Sequence, residues 1–134
     1  MKKLFIIVSF TLISIAAYCN KVDSLYRQLN IAKEDTSKIR LLIVLQKYYA
    51  TKDFDSSLYY LEKTTALSKK LNTSFFDFYI NVGYMEYYYY HNNYKKAIAL
   101  ALKNKDIAEK ENDIIKMTKS YNNLASVYNH FGLH

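Results

Sequence analysis

The chain has no proline, no tryptophan, one cysteine and two glycines in 134 residues. With only Gly83 and Gly132 to open turns, a many-stranded sandwich or barrel is excluded and long helices are favoured. Two glycines also exclude a glycine-rich loop that cradles phosphate. The lone Cys19 excludes an intrachain disulfide. Acidic residues are outnumbered, 12 against 19 basic ones, for a net charge of +7. Lys2 and Lys3 supply two of those charges, and the other basic residues form no continuous stripe. The excess reads as a solubility feature, so no nucleic-acid partner is expected. No serine, threonine or cysteine is paired with a histidine and an acid in a recognisable signature, so no catalytic residue is expected. Nor is a metal or cofactor: His130 and His134 stand four apart but Gly132 lies between them, and no third ligand is nearby. Asp53 and Asp55 are explained by helix capping beside a turn.

What is present begins with an export address. Lys2 and Lys3 are followed by an apolar run, Leu4 to Ala17, and then by the small residues a signal peptidase needs. That run of 14 residues is shorter than the roughly 20 needed to cross a bilayer. Residues 1–19 are therefore read as a cleaved signal peptide, which places the protein in or facing the periplasm. Tyr18, directly before Cys19, is too large for a lipoprotein site.

A period of 40 residues organises the remainder. Tyr48, Tyr88 and Tyr128 are spaced by it, as are Val44, Tyr84 and Leu124, and Phe54 with Tyr94. Ser57 recurs as Ala97 and Leu58 as Ile98. Each period divides into two helices. The first runs from about Thr36 to Thr51, with equivalents from Thr73 to His91 and from Asp113 to Phe131; the second runs from Phe54 to Leu71 and from Tyr94 to Glu111. Asp53, Asn93, Asp113, Thr36 and Thr73 are the expected caps. Leu58, Leu61, Thr65 and Ser68 share one stripe, as do Ala97, Ala101, Lys105 and Ala108. The fold class is all-α. Residues 21–35 form a leading half-repeat, residues 36–72 and 73–112 two repeats, and residues 113–134 the first helix of a third.

Leu124-Ala125, Tyr128 and Gly132, with Tyr94-Lys95-Lys96-Ala97-Ile98 opening one second helix and Asp106-Ile107-Ala108-Glu109-Lys110 closing it, resemble the tetratricopeptide repeat. The resemblance covers about residues 36–134. It departs from the family in its 40-residue period, in Lys52 and Asn92 at the turn glycine, in Gly83 two positions early, and in Thr64 and Asn104 where the family prefers alanine. It implies a right-handed α-solenoid of antiparallel helix pairs, about two and a half repeats long. Repeat-core packing then falls to Val44, Tyr48, Phe54, Tyr84, Tyr88, Tyr94, Ala97, Leu124 and Tyr128. The family's inner concave surface would carry Ile39, Leu42, Gln46 and Tyr49, then Tyr79, Val82, Glu86, Tyr89 and Tyr90, then Lys119, Asn122, Ser126, Asn129 and His130.

The run Tyr87-Tyr88-Tyr89-Tyr90 bears on this directly. Consecutive helical residues lie about 100° apart, so four in a row cannot share one role. Tyr88 is expected in the joint between paired helices, Tyr87 toward a neighbour, and Tyr89 and Tyr90 on the inner wall. Exposed tyrosines on a rigid surface suit peptide recognition. The expected peptide-binding set is Tyr49, Tyr79, Glu86, Tyr89, Tyr90, Asn122 and Asn129, and the expected partner is a protein or peptide.

The sequence stops at Phe131-Gly132-Leu133-His134, where a further helix is expected. Leu124, Val127, Tyr128 and Phe131 are accordingly expected to lack half of their cover, and the chain reads as an N-terminal fragment. It resembles the sensory regions of exported Bacteroidetes-type regulators, which implies more repeats, a membrane tether and a signalling output downstream. Two other roles stay open: an adaptor of the cell envelope that forms homo-oligomers, and the substrate-binding region of a larger enzyme.

Overall fold

A computed structural model shows an all-α chain, described for residues 21–132. The expected signal peptide and His134 lie outside the described residues. Helix α1 covers residues 21–31 of the described chain. It is followed by α2 (Thr36–Tyr49), α3 (Phe54–Lys70), α4 (Asp77–Tyr90), α5 (Tyr94–Lys110) and α6 (Ile114–Phe131). No strand occurs among the described residues.

The chain closes its helices with asparagine where others use glycine. Asn72, Asn92 and Asn112 adopt φ of 48°, 57° and 53°, and Gly132 adopts 74°, so left-handed residues recur every 20 positions. Each asparagine sits in a double closure. After α5, the Asn112 amide donates to the Glu109 carbonyl (3.1 Å) and the Asp113 amide to the Ala108 carbonyl (3.1 Å). The same pair of bonds follows α3 and α4 and satisfies carbonyls that a helix end leaves free. Asn93 and Asp113 then serve twice, ending one helix and capping the next: their side chains accept from the amides of Lys96 (3.3 Å) and Lys116 (3.0 Å). Asp53 caps α3 through the amides of Asp55 and Ser56.

Two of the expected caps are corrected. Asp35, not Thr36, caps α2, because its extended backbone lets its carboxylate reach the Ser37 amide at 2.8 Å. Thr73 does not cap α4, which starts four residues later. Thr73 instead closes α3: its amide donates to the Ser68 carbonyl (3.1 Å) and its own carbonyl accepts from the Ser68 hydroxyl (2.7 Å).

Each helix packs on its sequence neighbours: α2 on α3, α3 on α4, α4 on α5 and α5 on α6, while α2 also touches α4. One core gathers Ile39, Leu42 and Leu45 of α2 with Leu61 and Leu67 of α3 and Ile80 of α4, and α1 covers it with Leu25, Tyr26 and Leu29. A second joins Met85 to Ala97, Ala101, Leu124 and Val127, with Tyr88, Tyr94 and Tyr128 against it. Ala97, Ala101 and Ala108 are wholly buried, which allows α5 to approach both of its neighbours. Tyr84 packs on the first core.

Three expectations about packing are overturned. Val44 is 44% exposed, because it lies about 100° round the helix from Leu45 and about 160° from Gln46, two of the residues α2 buries. Phe54, the first residue of α3, is exposed at the end of the pair and rests on Tyr90 and His91, at centroid distances of 5.6 and 5.1 Å. Leu124 and Val127 lack no cover, since α4 and α5 bury them. Tyr48 is half-buried, edge-on to Tyr49 at 4.9 Å, with the Lys52 ammonium 3.6 Å from its ring centre. Thr64 and Asn104, which replace alanine in the core, find backbone partners: Thr64 donates to the Tyr60 carbonyl (2.8 Å) and Asn104 to that of Phe78 (3.1 Å).

Candidate functional site

The four consecutive tyrosines that end α4 face four directions. Tyr87 lies 4.2 Å from the His91 ring. Tyr88 stacks on Tyr84 at 6.5 Å and carries the Lys96 ammonium 4.8 Å over its face. Tyr89 packs into the second core and its hydroxyl meets the His130 ring nitrogen Nδ1 at 2.9 Å. Tyr90, 43% exposed, is the most open and leans on Phe54. Tyr89 and Tyr90 border open space shared with α6.

That space is a groove of about 250 Å³ between α4 and α6. Met85 and Val127 form its floor, and Glu86, Tyr89, Tyr90, Asn123 and Ser126 its walls. Asn123 was not legible as a site residue: its period partner is Gly83, which gives no polar signal. Its Nδ2 is buried without a hydrogen-bond partner among the described residues.

Charge on this side comes from three helices. Burial pushes the Glu86 carboxyl above its usual range, against the opposing pull of Lys119, Lys47 and the Gln46 amide. Partial burial likewise lowers the Lys47 ammonium, assisted by the like charge of Lys119. Glu86 of α4 thus lies in the combined field of Lys47 on α2 and Lys119 on α6. Two turns earlier, Tyr79 sits between two cations, with the same Lys47 5.6 Å and Lys116 5.9 Å from its ring centre. Lys116 is held by Glu111 and, at 4.0 Å, by Asp113.

The other expected site residues fall elsewhere. Tyr49 leaves the set: it stacks on Tyr60 at 5.8 Å and shares a 2.5 Å hydrogen bond with Tyr26. The periodicity of α2 could not show that α1 would cover this end. That bond and burial push the Tyr49 phenol up to about 12, so it stays protonated near neutrality. Ile39, Leu42, Gln46 and Val82, expected on the inner wall, are buried core residues. Asn122 and Asn129 are exposed outside the groove; Asn122 lines a shallow hollow with Ile114, Ile115 and Thr118.

The groove offers hydrogen-bonding side chains, with Glu86 the charged one among its lining residues, around an apolar floor. No group of three or more histidine, cysteine, aspartate or glutamate side chains among the described residues is placed to hold a metal. No helix among them is long and apolar enough to cross a membrane. Neither a family model, nor a curated protein, nor a solved structure matches the chain.

Proposed function

We propose that the protein is an exported, non-catalytic helical-repeat scaffold that binds a peptide or protein segment in the groove between α4 and α6. The observation that carries this reading is the convergence there of Tyr89, Tyr90, Asn123, Ser126 and the Glu86 carboxyl, on which the Lys47 and Lys119 charges act. Tyrosine gives contact area and a hydroxyl at small entropic cost. The resemblance to the tetratricopeptide repeat fits this role, with the helices stacked as a right-handed solenoid and the groove on its concave side. The pattern of residues 1–19 supports a periplasm-facing position, and the likeness to exported regulators supports a sensory part in a larger signalling protein.

Peptides selected from a displayed random library against the purified protein provide the test. Their affinities are to be compared on wild type, Tyr90→Ala and Lys119→Glu by fluorescence polarisation. Each variant is expected to lose at least tenfold in affinity, about 1.4 kcal/mol. Peptides that bind all three proteins equally would place recognition outside the groove.

A second reading, an envelope adaptor that self-associates, is favoured by Ile114 and Ile115 at the start of α6, which are 73% and 81% exposed. Sedimentation of wild type beside Ile115→Asp separates the two: a dimer lost in the variant supports the adaptor, a monomer in both removes it.

A further inference from the structure

A second cavity, of about 580 Å³, opens between α1 and α3 over α2, and shares no lining residue with the α4/α6 groove. Leu42 of α2 and Leu67 of α3 form an apolar floor, with the half-buried Leu29 of α1 and the exposed Ala66 of α3 beside them. Its two ends differ. At one, the Tyr60 hydroxyl donates to that of Tyr26 at 3.3 Å, and both residues line the cavity. At the other, Lys70 closes α3 and pairs with Glu34 in the turn between α1 and α2, while Lys38 stands one turn before Leu42. The stretch of α3 from Tyr60 to Lys70 makes the cavity about 15 Å long. Charge along it is one-sided, because Lys38, Lys63 and Lys70 share the lining with one carboxylate, that of Glu34. Glu34 is already taken by Lys70, and Lys38 and Lys63 form no ion pair among the described residues.

We propose that this cavity binds a medium-chain fatty acid as its anion. Sites for small molecules combine apolar walls with a few polar groups that fix orientation, and here the walls are leucine, alanine and tyrosine and the polar excess is cationic. A small hydrophilic anion would leave the leucine floor wet, and an apolar cation would meet the surplus of lysines; an amphipathic anion satisfies both. The length agrees. An extended chain advances about 1.2 Å per bond, so an acid of about ten carbons reaches from Lys38 to the tyrosine end. The carboxylate takes the Lys38 ammonium, the methylenes cover Leu42 and Leu67 between Leu29 and Ala66 and leave water, and the chain end meets the rings of Tyr26 and Tyr60.

Isothermal titration of the full chain with decanoate, kept below its micelle concentration, tests this, with acetate and decyltrimethylammonium as controls. Decanoate is expected to give saturable heat where acetate, which lacks the chain, and the cation, which has the chain with the opposite charge, give none. Ala66→Trp fills the cavity from an exposed position, so it is expected to abolish the heat with an unchanged thermal melt by circular dichroism. Lys38→Gln is expected to weaken binding at least tenfold, again at an unchanged melt. Absence of saturable heat from decanoate, equal binding of the cation, or unaltered affinity in Ala66→Trp would overturn the proposal. Tyr90→Ala is expected to keep full decanoate affinity, so failure here and failure of the peptide groove are read separately.

Discussion

At the scale of single residues, the tightest constraint is at Gly83. A Cβ there would stand 2.7 Å from Leu61 Cδ1 and 3.3 Å from the Gln46 side-chain carbon Cδ, and both neighbours are buried. Alanine is the better helix former by about 1 kcal/mol, but overpacking of this kind costs about 1–3 kcal/mol. Gly83→Ala is therefore expected to destabilise by about 1 kcal/mol, seen as a lower urea midpoint at unchanged slope. A higher midpoint would mean that Leu61 yields freely. Glu86 makes the opposite case, a native residue that works against stability. Its carboxyl is raised from 4.5, chiefly by burial, so the folded chain binds that proton more tightly than the unfolded chain does. Ionisation then opposes folding increasingly as pH rises through the raised value. Glu86→Gln is expected to melt higher than wild type at pH 7, and the gap is expected to close toward pH 4. A variant that melts lower at pH 7 would show that the pull of Lys47 and Lys119 outweighs burial.

At the scale of elements, the helix ends show what could be read and what could not. The starts of α3, α5 and α6 were legible because Asp53, Asn93 and Asp113 cap them from the position immediately before. The start of α4 was not, because Thr73 looks like a cap while its amide and carbonyl are both taken by Ser68. The site divides similarly. Glu86, Tyr89 and Tyr90 line the groove on the side that helical facing gives them, whereas Tyr79 packs against the cores instead, the cover over Tyr49 depends on α1, and the role of Asn123 on the width of the gap between α4 and α6. The left-handed asparagines were visible only as turn residues. Their 20-residue recurrence becomes meaningful through φ, since that conformation costs a residue with a Cβ about 1–2 kcal/mol and glycine almost nothing. Asn112→Gly is expected to hold or raise the melting temperature, and Asn112→Val to lower stability by about 1–2 kcal/mol. Equal stability of the two variants would show that the turn relaxes out of the left-handed region.

At the scale of the molecule, stability is a sum over neighbours. The core around Leu45 and Leu61 is built by α2, α3 and the first half of α4, and the core around Ala97 and Val127 by the second half of α4 with α5 and α6. Helix α4 is the common member, and Tyr79 touches both the first core and the smaller cluster of Phe78, Val82 and Ala108. In such an array a defect should loosen its own neighbourhood before it loosens the whole. Leu124 is buried in the second core, and truncating a buried leucine costs about 2–5 kcal/mol. Leu124→Ala is therefore expected to speed amide hydrogen exchange throughout α5 and α6 while α2 and α3 keep most of their protection. Leu45→Ala should give the reverse pattern, with α4 losing protection in both. Uniform loss across all helices in both variants would show one cooperative unit instead.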